Sequence, residues 1–432
     1  MMPKQDWIEY QRQLPKIDTH EHLAPEKVQL STSVDILDLL LFPYNCDTLR
    51  SAGCTDEEWQ QITDKARPLL QRCELLEKYL SSIRYAAVFR AFARTMALEF
   101  GEEKVDAQAL CRADVVLQEK IRKAHYHDTM ERMNIHGSIS FYLYDAVECF
   151  RDNRLRYVPN VTDMLPQGRD DVVRLEKAAG VKIYTLEGFL HAVERMFESY
   201  AAAGVRAIKF SSGYWRTLHY AAPDRQRAAQ QLEAVLAAQQ NGDDHLGRPI
   251  LRKTYEEVAA LEDCMIHHML ALCERHGFAA VFHVGMHAWN DNDPERARAH
   301  YLRNIIRRYS GVNFVLLHVG IPHFEEAVLM ARYYPNVYLD LTWTHICSPR
   351  LAKEIVHRIL EQVPVNKVFA FGGDYGYILS LRGHLEIAME NLADVMVESV
   401  ADGIMDEEQG KAILRSWYFD NPNRVYGLGF EA

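Results

Sequence analysis

The sequence Ile17-Asp18-Thr19-His20-Glu21-His22 places two histidines on alternate residues directly after a short apolar lead. In an extended strand, side chains two residues apart point to the same face, so His20 and His22 would point together. Two imidazoles at one strand end can bind one metal ion. In a chain with 19 histidines, however, this spacing also arises by chance. The meaning of the motif therefore depends on the strands that follow.

Seven further short runs of apolar or β-branched residues predict strands at 138–142, 156–161, 205–210, 279–284, 313–319, 337–342 and 367–371. Helical patterns separate them, which is typical of a parallel sheet buried on both faces. We therefore predict an α/β fold, a (β/α)8 TIM barrel. The alternative is an open doubly wound sheet, but no glycine-rich phosphate turn follows the first strand. The later helical runs lie at 185–204, 224–240, 255–276, 296–309, 324–333 and 349–362, with a polar loop at 241–248.

Residues 23–136 separate the first two predicted strands and have mainly helical patterns. Thr55 and Glu58 fit the two ends of a capping box, in which each side chain bonds the other residue's backbone N–H. Glycine and proline are sparse here, so we predict an ordered helical insertion within a single domain spanning 1–432. Because the insertion follows the strand with the histidine pair, we expect it to act as a lid over the barrel mouth.

Composition limits the classes of function. No apolar run approaches the roughly 20 residues that span a bilayer, and the N-terminal residues lack the apolar core of a signal peptide. We therefore expect a soluble cytoplasmic protein. The net charge is -11 with basic residues scattered among acids, so we expect neither nucleic acid nor a membrane as a partner. The 8 cysteines form no C-x-x-C pair, which favours reduced, mostly buried thiols.

Ionisable residues lie at or near the ends of several predicted strands, where the active sites of such barrels are found. Lys209 lies in the fourth strand, His283 in the fifth and His318 in the sixth, and Asp374 follows the eighth after two glycines. Each has an ordinary structural explanation when taken singly. Together at one mouth, they would cost free energy unless a cation compensates their burial. Histidine and aspartate suit zinc or a similar ion, so we predict a divalent metal.

The pair His20-x-His22, with His283, His318 and Asp374, resembles the metal-site pattern of the amidohydrolase superfamily. The closer resemblance is to the amidohydrolase-related branch, which includes uronate isomerase, several decarboxylases and the amidohydrolase-like domain of FluG-type proteins. The long helical insertion resembles that of uronate isomerase. The segments 282–285, 335–340 and 420–426 also carry this likeness.

The resemblance implies that His20, His22, His283 and Asp374 ligate the metal. Lys209 lies on the strand that provides a carboxylated, bridging lysine in two-metal members of the superfamily. We therefore expect one zinc ion, or two if Lys209 is carboxylated, with manganese as the alternative metal. An uncarboxylated Lys209 would instead bind a substrate carboxylate.

These residues favour a metal-dependent hydrolase that uses a metal-activated water on an amide, lactone or C–C bond of a small carboxylated substrate. Asp374 would act as the general acid/base, and His318 would stabilise charge on a substrate oxygen. The alternatives are a metal-dependent decarboxylase, a uronate-type aldose–ketose isomerase and a non-catalytic metal-binding or scaffold protein. The intact Asp374 argues against the last of these.

Loop residues just beyond the strand ends are candidates for substrate binding. The arginines among them suggest an anionic small molecule, because a guanidinium binds a carboxylate through two hydrogen bonds. Homo-oligomer formation stays open. The candidates are Tyr214, Arg216, His287, Trp289 and Arg382, together with Lys209.

Overall fold

The computed structural model describes residues 2–151, 154–166, 168–237, 255–289 and 292–431. Within them, eight strands form one parallel sheet in chain order. The predicted polar loop at 241–248 lies outside the described residues. The strands are β1 Lys16–Glu21, β2 Ile135–Leu143, β3 Leu155–Asn160, β4 Ala207–Phe210, β5 Ala279–His283, β6 Phe314–Leu317, β7 Val337–Asp340 and β8 Val368–Phe369.

Hydrogen bonds between β1 and the segment after β8 bring the two ends of the sheet together. The backbone N–H of Thr19 donates to the carbonyl of Phe371 at 3.1 Å, and that of Asp374 donates to the carbonyl of His20 at 2.7 Å. The sheet is thus a nearly closed barrel. This confirms the predicted (β/α)8 fold over the open sheet.

The strands are apolar on both faces because one face lines the barrel interior and the other packs beneath the surrounding helices. Residues such as Val281 and Val315 fill the barrel interior, whereas their neighbours Phe282 and Leu316 pack outward in the larger core beneath the helices. Alternation of side chains along each strand produces this division. With the interior filled, polar side chains at the strand ends are left at the rim.

Helices surround the barrel and fill the insertion. No described helix has both the length and the apolar character needed to cross a membrane. The helices are α1 Lys4–Gln13, α2 Glu26–Gln29, α3 Ile36–Leu41, α4 Asn45–Ser51, α5 Asp56–Thr63, α6 Leu69–Ile83, α7 Ala87–Phe100, α8 Ala107–Lys120, α9 Tyr126–Arg132, α10 Arg169–Ala179, α11 Leu186–Ala202, α12 Arg225–Ala237, α13 Tyr255–His276, α14 Arg303–Arg308, α15 Phe324–Tyr333, α16 Thr344–Cys347, α17 Pro349–Gln362, α18 Leu381–Ala401, α19 Glu407–Arg415 and α20 Asn421–Val425.

The segment between β1 and β2 is helical, as its sequence patterns predict, and contains α2 to α9. The capping box is present: the Thr55 hydroxyl accepts the N–H of Glu58 at 3.2 Å, and the Glu58 carboxylate accepts the N–H of Thr55 at 3.3 Å. The insertion packs against the barrel through α7 and α18. Its role as a lid stays a prediction.

Several predicted boundaries differ from the structure. The sixth strand ends at Leu317, not Val319, because the backbone enters the left-handed region at His318 (φ 61°). The predicted helix 296–309 is mostly two short 3-10 turns followed by α14.

All eight cysteines are free thiols, and five of them are buried.

Candidate metal centre

His20, His22 and Asp374 meet at the carboxyl ends of β1 and β8. The Nε2 atoms of the two histidines are 3.3 Å apart, and each lies 3.2 Å from Asp374 Oδ1. His20 and Asp374 are buried, whereas the His22 side chain is 48% exposed. The group of three therefore reaches solvent through His22.

Two buried carboxyl groups on β1 hold the loop that carries Asp374. Asp18 Oδ1 accepts the N–H of Gly373 at 3.1 Å, and Glu21 Oε2 accepts the N–H of Tyr375 at 2.8 Å. A Cβ atom at Gly373 would lie 2.0 Å from Glu21 Oε1, so only glycine fits there. Burial raises the pKa of Asp18 to about 7 and raises that of Glu21 well above its usual value. The carboxyl groups on either side of His20 thus fix the position of Asp374.

The protonation states of the cluster suit a cation. Burial lowers the pKa of His20 well below its usual value, so its imidazole is neutral near pH 7. Burial opposes ionisation of Asp374, yet the imidazoles of His20 and His22 that face it hold the pKa of that carboxyl well below its usual value. The centre therefore presents the neutral nitrogen donor of His20 beside a carboxylate.

The donor set fits a divalent ion by chemistry and by spacing. Nitrogen and oxygen ligands bind zinc at about 2.0–2.2 Å, so ligands of one ion lie about 3.0–3.5 Å apart. The three separations of 3.2–3.3 Å between the donor atoms fall within this range. His20 Nδ1 is buried without a hydrogen-bond partner, which leaves Nε2 as the nitrogen directed at the cluster. The residues present therefore fit the ion that the sequence predicts.

His318 and His283 form a second pair beside this cluster. His318 Nδ1 donates to the carbonyl of Thr342 at 3.1 Å, and His283 Nε2 donates to that of Met286 at 2.7 Å, since a carbonyl oxygen only accepts. The remaining nitrogens, His318 Nε2 and His283 Nδ1, face each other at 3.2 Å and both carry lone pairs when neutral. The two lone pairs repel each other at this distance, and a proton or a cation between them would remove the repulsion.

Burial lowers the pKa of His283 well below its usual value and that of His318 to about 4, which disfavours a shared proton. His318 Nε2 also lies 3.8 Å from Asp374 Oδ2. Both observations favour a cation near this pair. The metal-ligand role of His283 and the charge-stabilising role of His318 stay predictions.

Lys209 is buried at the end of β4, with its ammonium 4.7 Å above the ring of Phe141. Burial lowers the pKa of Lys209 to about 7, and the charges of Asp374 and Asp340 oppose that shift. A large fraction of the amine is therefore neutral near pH 7, the form in which a lysine can be carboxylated. Either predicted role, bridging ligand or carboxylate binder, is compatible with this environment.

Tyr214 and His287 extend the site away from the metal centre. The His287 ring stacks on His283 with centroids 5.1 Å apart, and it lies 4.3 Å from the Tyr214 ring. Both ring nitrogens of His287 are buried. Burial lowers the pKa of His287 to about 4, against an opposing hydrogen bond to the backbone of Gly213, so the ring is neutral near pH 7.

The insertion contacts the mouth through residues 42–47. The Tyr44 hydroxyl donates to the carbonyl of Asp374 at 2.7 Å, and the Tyr44 ring stacks on Trp343 at 4.3 Å. The N–H of Trp289 donates to Asp47 at 3.0 Å. Sequence reasoning missed Tyr44 and Trp343, although Trp343 follows the seventh strand and the strand-end criterion would have found it.

Backbone strain is concentrated at the mouth. Six described residues other than glycine have positive φ, and five of them follow strands β5 to β8. Such conformations cost about 1–3 kcal/mol each and persist where the surrounding structure holds them, often at functional sites. The five are Trp289, His318, Val319, Trp343 and Asp374.

Arg216 does not face the metal centre. Its guanidinium is fully buried and donates to Glu262 at 2.9 Å and to Asp263 at 2.6 Å, both on α13. It also donates to the carbonyls of Thr217 and His219. The group is thus engaged in an internal ion-pair network.

Arg382 also lies away from the mouth. Its guanidinium donates to the carbonyl of Arg132 at 3.2 Å and lies 3.3 Å from Glu386. The surrounding cavity includes Lys16, at the amino end of β1. The structure therefore brings Tyr214, His287 and Trp289 to the mouth but neither of the two predicted arginines.

A family model described as amidohydrolase matches residues 149–428. The protein fluG of Emericella nidulans is 32% identical over 149 residues, which is 34% of this chain but only 17% of the fungal protein. The chain thus matches about a sixth of the length of that curated relative.

Two solved structures share the fold over nearly the whole chain. Uronate isomerase of Thermotoga maritima is 15% identical, with 98% of this chain and 97% of that chain covered and a TM-score of 0.79. Glucuronate isomerase of Caulobacter crescentus is 16% identical, with 99% and 94% covered and a TM-score of 0.79. At these identities the similarity shows the fold alone.

We predict that Arg216→Met destabilises the protein by about 3–5 kcal/mol, because it leaves two buried carboxylates without their cation. Urea unfolding measures the change. Arg225→Met is the matched control, since its ion pair with Glu187 is exposed and contributes far less. An Arg216→Met protein as stable as wild type, with only a raised KM, would instead assign Arg216 to substrate binding.

Proposed function

We propose that this chain, which belongs to the amidohydrolase family, is a metal-dependent hydrolase acting on an amide, lactone or C–C bond of a small carboxylated molecule. The observation that carries the proposal is the convergence of His20, His22 and Asp374, whose ligand atoms lie within 4.8 Å of one another. Two imidazole nitrogens and a carboxylate favour zinc, with manganese as the alternative.

In this proposal His20, His22 and Asp374 hold the ion. When bound, a divalent cation lowers the pKa of water and polarises a substrate carbonyl. Asp374 is ionised, so its Oδ2 accepts the proton of the attacking water and returns it to the leaving group. Asp18 and Glu21 accept hydrogen bonds from the N–H groups of Gly373 and Tyr375, and these bonds keep the Asp374 carboxylate in place during both proton transfers.

His318 lies next to Asp374, with its Nδ1–H committed to the carbonyl of Thr342. Its Nε2 lies 3.8 Å from Asp374 Oδ2. Stabilisation of negative charge on a substrate oxygen by this nitrogen requires its protonation, which burial opposes by lowering the pKa of His318 to about 4. Tyr44 and Trp343 close one side of the mouth and would exclude bulk water from the substrate. This is the contribution that we propose for the insertion as a lid.

Recognition of the substrate falls to Lys209, Tyr214 and His287. Among the predicted substrate-binding residues, Lys209 is the cation that lies near the metal centre, because Arg216 and Arg382 are engaged elsewhere. A substrate carboxylate beside Lys209 would favour its charged form. Tyr214 and His287 offer a hydroxyl and a neutral imidazole to uncharged polar groups of the same molecule.

A second candidate is a metal-dependent isomerase that interconverts an aldose and a ketose. It is supported by fold similarity to two uronate isomerases over 98–99% of this chain, the insertion included. The same donor set would hold and polarise a sugar carbonyl without consuming water. A decarboxylase remains the third reading of the same residues.

Replacement of Asp374 tests the proton-transfer role. We predict that Asp374→Asn, assayed with added metal, lowers kcat by about 10²–10⁴-fold, because the amide cannot accept a proton. Steady-state kinetics with metal analysis of the same sample measure turnover and metal retention together. Asp402→Asn, at the exposed end of α18, is the control. Full activity in an Asp374→Asn protein would exclude the role.

The reaction type is decided by a substrate screen in water enriched in ¹⁸O. Metal-loaded protein is tested on lactones, N-acyl amino acids, uronic acids and aromatic carboxylates, with the Asp374→Asn protein as the background. We predict a product that contains one ¹⁸O atom from solvent for a member of the first two classes. Release of carbon dioxide, or an isomer of unchanged mass, would replace hydrolysis by decarboxylation or isomerisation.

A further inference from the structure

A small cavity lies at the amino end of β1, away from the metal centre at its carboxyl end. Its volume is about 60 Å³. A water molecule needs about 10–15 Å³ measured in this way, so the cavity holds a few waters or one small ion but no organic ligand of metabolite size. Its walls come from α1, β1, α9 with the residue that follows it, and α18.

The walls carry more positive than negative charge. They include the cations of Arg12, Lys16, Arg132 and Arg382 and the carboxylate of Glu386, while Glu99 lies 3.1 Å from Arg132 and Glu9 lies 3.2 Å from Arg12. The Glu386 carboxylate is already shared, at 2.8 Å from Arg12 and 3.3 Å from Arg382. Each of the three arginines thus has a carboxylate partner, and Lys16 is the cation of this wall for which the described residues supply no ion pair.

Lys16 is the part of this wall that most requires a counter-ion. Its side chain is fully buried, and its ammonium donates to the carbonyls of Leu14 at 2.7 Å and Arg12 at 3.2 Å. No ion pair joins it to a carboxylate of the described residues, and Glu386, which favours its charged form, is held by Arg12 and Arg382. A buried ammonium that has only neutral acceptors is costly, and a neighbouring anion removes much of that cost.

Another buried lysine serves as a comparison. Lys367, at the amino end of β8, donates to the carbonyls of Ala331 at 2.6 Å and Tyr334 at 2.5 Å. Each lysine also lies near an aromatic ring, Lys16 at 5.7 Å from Tyr418 and Lys367 at 5.8 Å from that of Tyr338. The arginine-lined cavity is the feature that distinguishes Lys16.

We propose that this cavity binds one small monovalent anion, of the size of chloride or a planar oxyanion, between Lys16 and the side chains of Arg382 and Arg132. Such an ion would join β1 and α1 to α18 and to the end of the insertion. Burial, together with the like charge of Arg382, lowers the pKa of Lys16 to about 7, and an anion at this position would oppose both effects. The proposal is independent of the reaction at the opposite end of the barrel.

The test is thermal unfolding of the full chain in sodium bromide against sodium gluconate at equal ionic strength, since gluconate is too large for the cavity. We expect a saturable rise in Tm with bromide alone. Lys16→Met should weaken the apparent bromide affinity by about tenfold or more, because a charge-assisted hydrogen bond is lost. Lys367→Met is the matched control and should keep the wild-type bromide dependence despite its own loss of stability.

If Lys16→Met does not fold, Arg382→Gln replaces it, since this variant keeps the buried lysine and removes one cation from the wall. A several-fold weaker bromide dependence in Arg382→Gln supports the site. Equal effects of bromide and gluconate on the wild type would overturn the proposal. So would a Lys16→Met or Arg382→Gln protein that responds to bromide as the wild type does.

Discussion

The contact between β1 and the segment after β8 is the constraint on which the candidate site depends. The N–H of Asp374 donates to the carbonyl of His20 at 2.7 Å, so one backbone hydrogen bond closes the barrel and sets the carboxylate beside the histidines. Asp18 and Glu21 add side-chain bonds to the same loop on either side of Asp374. The same hydrogen bonds therefore close the barrel and set the geometry of the metal site. A substitution that separates β1 from the segment after β8 would affect both.

The buried charges at the two ends of the barrel have opposite signs. At the carboxyl end, burial keeps His20 and His283 neutral while Asp374 stays ionised, so a cation would stabilise this group of side chains. At the amino end, Lys16 is buried beside a cavity lined by arginines, and the anion that we propose there would balance its charge. In each case the charged groups lie where several elements meet, so a bound ion would also stabilise their packing.

Short-range patterns predict much of this molecule. Strand and helix alternation predicts the barrel, and the strand-end criterion places His20, His22 and Asp374 together. Sequence cannot show that Arg216 is bound by acids on α13, because that pairing depends on the packing of a helix some 46 positions later. Nor does it place Tyr44 at the mouth, since the path of the insertion is set by tertiary contacts. Roles assigned from residue type alone are therefore less secure than those assigned from position on a strand.

The central claim is that His20, His22 and Asp374 hold a catalytic metal ion. Elemental analysis of the purified full chain, before and after addition of zinc or manganese, tests it most directly, with His22→Ala and the exposed His127→Ala as a matched pair of variants. We expect a tightly bound divalent ion in the wild type and in His127→Ala, and its loss or marked weakening in His22→Ala. A wild-type protein that binds no divalent ion and gains no activity on metal addition would contradict it.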